Sequence, residues 1–336
     1  MDRHSGEGAP AHYRPTFRTI ANRRPAHGLA RPRAGKLRPV ATCPAPYDHR
    51  PVRHRPLPSP PLSGQVLLVS GAAGGIGAAT ARALAARGVL LALTDRDEAA
   101  VRALAAGLPG ASAHVLDVTD RSACIDVVAA VTAAHGRLDA VWANAGISVY
   151  GPLDLVDADT WDAVLDVNLR GAANLVRAAL PAVMQARGYV ALTCSVASFV
   201  HQPGHTAYAA SKAGLEALGD SLRSELTGTG VRVGTFHPGW IATSLVAEKE
   251  DHQPAFRRFR EAVRPPFNTI HPVDAIVPEI VGAFEHRRAR LVFPRVHWLA
   301  HALRPVAHTR ALSAGVRAAA PEIRRLYAEQ LQARQR

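Results

Sequence analysis

The chain is short of the residues that mark several common classes of protein. Its three cysteines, Cys43, Cys124 and Cys194, form neither a CxxC pair nor a metal-ligand spacing, so no disulfide framework or metal site is expected. Cys124 and Cys194 fall in segments that read as buried, and reduced thiols in a cytoplasmic setting are the expectation. No apolar run approaches the ~20 residues of a membrane span. The N-terminus is basic yet has no apolar h-region, so export is not expected. Lysine is scarce as well: Lys36, Lys212 and Lys249 are three of the 40 basic side chains, and arginine supplies the other 37. Such a bias is a habit of GC-rich genomes.

The formal charge of +13 invites a nucleic-acid or anionic-membrane partner, but its distribution argues otherwise. Residues 1–62 carry twelve basic side chains against three acidic ones, residues 63–250 thirteen against seventeen, and residues 251–336 fifteen against seven. The middle of the chain is mildly acidic, which excludes a nucleic-acid-binding core. Residues 1–62 also hold twelve of the 25 prolines with no periodic apolar face, the composition of a disordered tail. That tail reads as a basic arm, a dispensable leader, or the product of a start codon placed too far upstream; charge without aromatic or helical patterning favours the last two.

An apolar content of 48% is ample for a buried core. From Gln65 short apolar runs alternate with longer amphipathic stretches, the pattern of βαβ units. Strands are expected at 65–70, 89–94, 112–116, 139–143, 188–194, 231–236 and 290–293, and helices at 75–87, 97–107, 121–135, 159–186, 206–228 and 272–286. Nearly unbroken apolar strands such as Val66–Val69 imply burial on both faces, hence helices on both sides of a parallel sheet. The expected fold is α/β: one doubly wound Rossmann-type domain with a seven-stranded parallel sheet over 63–294. A short helical extension over 295–336 interleaves basic and apolar residues. It is expected to pack on the domain or a second subunit, with a peripheral membrane contact or a lid as the sharper alternative.

The first strand runs into Ser70-Gly71-Ala72-Ala73-Gly74-Gly75-Ile76-Gly77, with a helix directly behind it. A tight turn and close backbone approach to a phosphate both need residues without a Cβ, and the helix N-terminus supplies amide donors. Gly71, Gly75, Ile76 and Gly77 are the candidate pyrophosphate cradle. The second strand ends at Asp95, about 20 residues on, where a carboxylate accepts from adenosine ribose hydroxyls and repels a 2′-phosphate. NAD is therefore favoured, with NADP kept open by Arg96 beside it.

Tyr208-Ala209-Ala210-Ser211-Lys212 opens a helical stretch and puts Tyr208 and Lys212 on one face at i and i+4. A phenol with an ordinary pKa near ~10 is a poor base at neutral pH unless a nearby cation stabilises its phenolate. With these residues in view, the sequence resembles the short-chain dehydrogenase/reductase family over residues 63 to about 245. The Ser70–Gly77 turn resembles the family's glycine motif, with serine where threonine is usual. Asp117-Val118 resembles its adenine-contacting pair, Asn144-Ala145-Gly146 its NAG motif, and Val167-Asn168 the site of its helix asparagine. Ser195 stands thirteen residues before Tyr208, as the family's serine does, and Pro238-Gly239-Trp240-Ile241-Ala242-Thr243 resembles its PGxxxT segment.

The resemblance implies an oxidoreductase acting on CH–OH groups with NAD or NADP. Tyr208 is the implied acid/base, Ser195 the support for the substrate oxygen, Lys212 a ligand of the nicotinamide ribose, and Asn168 the support for a proton-relaying water. Pro238, Gly239, Ile241 and Thr243 are implied to line the nicotinamide side. Substrates of the family sit beyond that segment, so Ile147, Val149, His201, Gln202, His205, Trp240, Leu245 and the stretch 256–267 are the expected lining, with Ile147, His201 and Trp240 as substrate-binding candidates. The lining is largely apolar, which favours a hydrophobic alcohol or carbonyl compound. A homodimer or homotetramer is implied as well. A dinucleotide-binding sensor without turnover is the alternative; it gives no reason to keep Ser195, Tyr208, Lys212 and Asn168 together.

Overall fold

A computed structural model describes residues 60–304 and 313–334. The disorder expected for the tail, and Cys43 and Lys36 with it, falls on residues 1–59, which lie outside the described residues. Seven parallel strands, β1 (Val66–Ser70), β2 (Leu90–Asp95), β3 (Ala111–Val115), β4 (Ala140–Ala143), β5 (Tyr189–Thr193), β6 (Arg232–Pro238) and β7 (Arg290–Phe293), form one sheet in the order β3-β2-β1-β4-β5-β6-β7. All six pairings are parallel, as the expected doubly wound fold requires.

Side-chain alternation along the strands divides the core into two layers. Val66 and Leu68 of β1, with Val190 and Leu192 of β5, face helices α3 (Arg121–His135), α5 (Ala172–Gln185) and α6 (Thr206–Glu225). Leu67 and Val69, with Tyr189 and Ala191, face α1 (Gly75–Ala85), α2 (Glu98–Ala106) and α9 (Val273–Glu285). Trp142 anchors this second layer, edge-on to Phe236 and Phe284 with centroids 6.3 and 5.6 Å apart. Both faces of every central strand are buried, which is why the strands carry no polar alternation.

Strand order reverses between β1 and β4: the chain winds out through β2 and β3, then returns to the other side of β1. Loops leaving the carboxyl ends of β1 and β4 therefore diverge, and the crevice between them is where doubly wound sheets bind ligands. The glycine turn follows β1 and Asn144-Ala145-Gly146 follows β4.

Several elements differ from the sequence expectation. The helix expected over 159–186 is three pieces: α4 (Ala158–Leu165), a π-helical turn (Asp166–Gly171) and α5. Two helices, α7 (Ser244–His252) and α8 (Pro254–Ala262), occupy a stretch expected only as lining. The extension, expected as short helices, forms α10 (His297–Ala302) and a long helix α11 (Ala314–Arg334). Ala319, Ile323 and Tyr327 of α11 pack with Tyr150, Phe256, Phe259 and Val263 in a third apolar cluster, and the ion pairs Arg258–Glu322 and Arg324–Asp154 flank the contact. The extension thus packs on the domain. No helix among the described residues is long and apolar enough to cross a membrane.

Candidate active site

The glycine turn is shaped by close backbone packing. Gly71 has φ +62°, and a Cβ there would lie 2.6 Å from the Ala145 Cα; at Gly75, φ +49°, it would lie 2.9 Å from Thr243 Cγ2. Asn144 Nδ2 donates to the Gly71 carbonyl at 2.9 Å, and Ser70 Oγ accepts from the amides of Asn144 and Ala145 at 3.1 and 3.2 Å. Serine at position 70 thus ties the end of β1 to the loop after β4. Thr193 Oγ1 receives the indole N–H of Trp142 at 2.8 Å and donates to Asn144 Oδ1 at 3.1 Å, continuing the tie into β5.

The same turn leaves room for a phosphate. No side chain caps α1, its first turn holds no acid, and a Cβ on the N-cap Gly74 would meet nothing within 4 Å. Amide donors at the positive end of a helix dipole then face open space, which suits a pyrophosphate. Asp95 accepts from the Ala73 amide at 3.0 Å and from the Asp97 amide at 3.2 Å, so it braces the turn while remaining on the cleft wall. Asp117 closes a local turn by accepting from the Thr119 amide at 2.8 Å.

On the other side of the crevice, Ser195 caps the 3-10 turn Val196–Ser198: its Oγ accepts from the Ala197 amide at 3.1 Å and reaches the Pro238 carbonyl at 3.4 Å. Lys212 is buried, with Nζ donating to the Thr193 carbonyl at 2.7 Å and lying 5.7 Å from the Tyr208 ring centre. Burial lowers the Lys212 ammonium to about 8. The Tyr208 phenol is raised by burial, and the Ser195 hydroxyl beside it pulls the other way. Desolvation dominates the phenol, and the lowering expected from Lys212 is not found here.

Asn168 sits in the π-helical turn, fully buried. Its Oδ1 accepts from the Ile147 amide at 2.8 Å, and its Nδ2 donates to the Ile147 carbonyl at 2.9 Å and to Ser211 Oγ at 3.0 Å. This side chain locks the loop after β4 onto α6 and does not line the cleft. A Cβ at Gly146 would lie 3.2 Å from Asn168 Oδ1 and 3.3 Å from Lys212 Nζ, so residue 146 must be small for the three to meet.

One cleft of about 880 Å³ runs through all of these groups. Its walls bring together every cofactor and substrate candidate of the sequence, from Gly71 and Asp95 through Gly146, Ser195, Tyr208 and Lys212 to Ile147, His201, Trp240, Ile241 and Thr243. Val149 and Asn168 are the expected residues that do not line it. Sequence reasoning missed part of the far wall: Lys249 of α7, Leu299 and Leu303, and Val316 and Arg317 at the start of α11. The only available signal was the rarity of lysine: Lys212 and Lys249, the two lysines among the described residues, are both buried and both line the cleft. Among the described residues no group of three or more His, Cys, Asp or Glu is placed to hold a metal ion.

Residues 65–254, more than half of the sequence, match the family model for short chain dehydrogenase. The chain belongs to the short chain dehydrogenase family. As a member it is 38% identical over 189 residues to the 3-oxoacyl-[acyl-carrier-protein] reductase FabG of Thermotoga maritima, covering 55% of this chain and 77% of that one. It is 36% identical over 189 residues to the D-threitol dehydrogenase of Mycolicibacterium smegmatis, covering 55% and 73%. Among solved structures it resembles gox2181, with a TM-score of 0.63, 24% identity, and coverage of 69% of this chain and 94% of that one; this likeness shows the fold. Short chain dehydrogenases of this kind are oxidoreductases, with both reductases and dehydrogenases among the relatives.

Proposed function

We propose that this chain interconverts a hydrophobic alcohol and its ketone or aldehyde with a nicotinamide dinucleotide, using Tyr208 as the proton donor and acceptor. The observation that carries this reading is the convergence of Ser195, Tyr208 and Lys212 on one cleft with an uncapped glycine-rich helix start. Gly71, Gly75, Ile76 and Gly77 would hold the pyrophosphate. Asp95 would accept from the ribose hydroxyls, Asp117 and Val118 would border the adenine, and Asn144 through Gly146 with Pro238, Gly239, Ile241 and Thr243 would border the nicotinamide. A bound nicotinamide supplies a hydride donor or acceptor.

The protein's own groups then have defined tasks. In reduction, Tyr208, kept protonated by burial, gives its phenolic proton to the substrate oxygen; in oxidation the phenolate takes that proton back. Ser195 donates to the same oxygen, where negative charge develops. The Lys212 ammonium stabilises the phenolate, and its pKa of about 8 keeps it charged at neutral pH. Asn168 acts by position, holding the loop at Ile147 against α6 so that Lys212 stays fixed. Asp95 supports NAD as the preferred cofactor, because a second carboxylate-facing anion on the ribose would be repelled.

A homodimer or homotetramer, common in the family, and a reducing cytoplasmic setting complete the reading; the buried free thiols of Cys124 and Cys194 support the latter. The test is Tyr208→Phe, assayed with a panel of aliphatic, aromatic, steroid and acyl-thioester substrates and both cofactors. Turnover should fall by about 10²–10⁴-fold with an unchanged circular dichroism spectrum; near-normal turnover would remove the proposal.

A further inference from the structure

Lys249 is the second lysine of the cleft, and the proposed reaction does not use it. Its side chain is 8% exposed, yet among the described residues no carboxylate forms an ion pair with it. Its ammonium donates to the carbonyl of Leu245 one turn back at 2.9 Å, leaving two of its three N–H groups uncommitted. Of the adjacent acids, Glu248 is exposed and acts on Lys249 only through space, without an ion pair, and Glu250 pairs with Arg260 at 2.5 Å. Burial holds the ammonium down to about 8, so it is charged at neutral pH and poorly solvated. A buried cation with no carboxylate in contact is costly.

The surroundings point to what it receives. Lys249 acts on His205, whose ring lies 6.0 Å from the Tyr208 ring and among Tyr150, Trp240, Phe256 and Phe259. His205 is pushed down to about 3 by burial and by Lys249, so it stays neutral and adds no competing charge. In this half of the cleft the described lining holds Lys249, with Arg264 and Arg317 exposed at the mouth, and no carboxylate; both acids of the lining, Asp95 and Asp117, belong to the glycine-turn half.

We propose that Lys249 receives a carboxylate carried by the substrate, so that this enzyme acts on hydroxy or oxo acids with an apolar body rather than on neutral alcohols and ketones. This rests on the reading of the cleft as a substrate site, but it can be tested without turnover. Titration calorimetry of the full chain with octanoate and octanamide compares two inert ligands of the same length that differ in charge. Octanoate should bind at least tenfold more tightly to the wild type, and Lys249→Met should bring the ratio to near unity. Tyr208→Phe, which abolishes the proposed chemistry, should retain the octanoate preference. Equal affinities in the wild type, no octanoate binding at millimolar concentration, or a preference that survives in Lys249→Met overturns the proposal. If Lys249→Met does not fold, the wild-type comparison alone decides. A preference for octanoate in a protein that turns over no alcohol or carbonyl compound would leave the anion site standing and remove the redox reading instead.

Discussion

Tyr327 of α11 lies directly over Gly151 in the loop after β4, with its hydroxyl oxygen 2.6 Å from where a Cβ at 151 would stand. The helix is thus seated against the loop that follows Asn144-Ala145-Gly146. Gly151→Ala should push Tyr327 off its seat, lowering the melting temperature by an amount equivalent to about 1–3 kcal/mol. Tyr327→Ala in the same background should recover part of that loss, because it removes the obstructing ring. Thermal unfolding of the single and double variants checks both.

Two glycines of the first turn should behave in opposite ways. Gly71→Ala meets the Ala145 backbone and forces a positive φ, so stability should fall by about 1–3 kcal/mol. Gly74→Ala has open space and an extended φ of −128°, so stability should change by less than about 1 kcal/mol. If the space holds a pyrophosphate, the added methyl intrudes on it, and affinity for NAD should fall about tenfold or more, equivalent to about 1.4 kcal/mol. Unfolding curves and dinucleotide titration separate the two effects.

Cofactor choice is testable at Asp95. Asp95→Ala removes the proposed ribose acceptor and the brace on the Ala73 amide together, leaving Arg96 beside the position. The ratio of kcat/KM for NAD over NADP should fall by about tenfold or more, in line with the loss of one charge-assisted hydrogen bond and one repulsion. A wild type that already prefers NADP would refute the NAD assignment.

Lys249 also makes a prediction about stability. Its folded pKa of about 8 lies below the usual 10.5, so at pH 7 the folded chain carries a buried charge that the unfolded chain solvates freely. Between about pH 8 and 10.5 the unfolded state holds more protons, and wild-type stability rises with pH. Lys249→Met should therefore be more stable than wild type at pH 7, by on the order of 2–3 kcal/mol, and the difference should close by about pH 10.5. Parallel melts of both proteins across that range measure it.

Glu216 is the hub of a partly buried ion cluster that joins α6 to β7 and α10. It pairs with Arg290 and Arg304 at 2.7 Å each, and His301 lies at 3.7 Å. Removing a buried partner strands the charges around it, so Glu216→Ala should destabilise the fold by about 3–5 kcal/mol. Chemical denaturation checks the magnitude.

Much of this architecture was legible in the residues. Each expected strand coincides with an observed one to within about two residues at either end; for β1, β2 and β4 this is because a strand buried on both faces is a short, largely apolar run. That Ser195, Tyr208 and Lys212 share one cleft was legible for a related reason: they follow or flank strand ends that the fold itself aligns. What stayed hidden has specific causes. The π-turn around Asn168 adds one residue to a helical turn and leaves no mark on the apolar periodicity. Pro321 inside α11 is a residue that ordinarily ends or kinks a helix, so the residues before it carry a weak helical signal. The third cluster joins Tyr150 to Phe256 and Tyr327, segments far apart in the chain, and no local pattern announces that they meet. Apart from the rarity of lysine in this chain, Lys249 reads in sequence as a solvated helix lysine.

The crevice draws its two halves from different stretches of chain. Strand ends β1 through β5 and the head of α6 furnish the glycine turn and the Ser195–Tyr208–Lys212 group, whereas residues 245–267, 299–303 and 313–317 build the opposite wall. A library randomised only in that opposite wall would therefore sample new substrates against an unaltered set of proposed catalytic groups, and selection for altered specificity should accumulate changes there while the strand ends stay as they are.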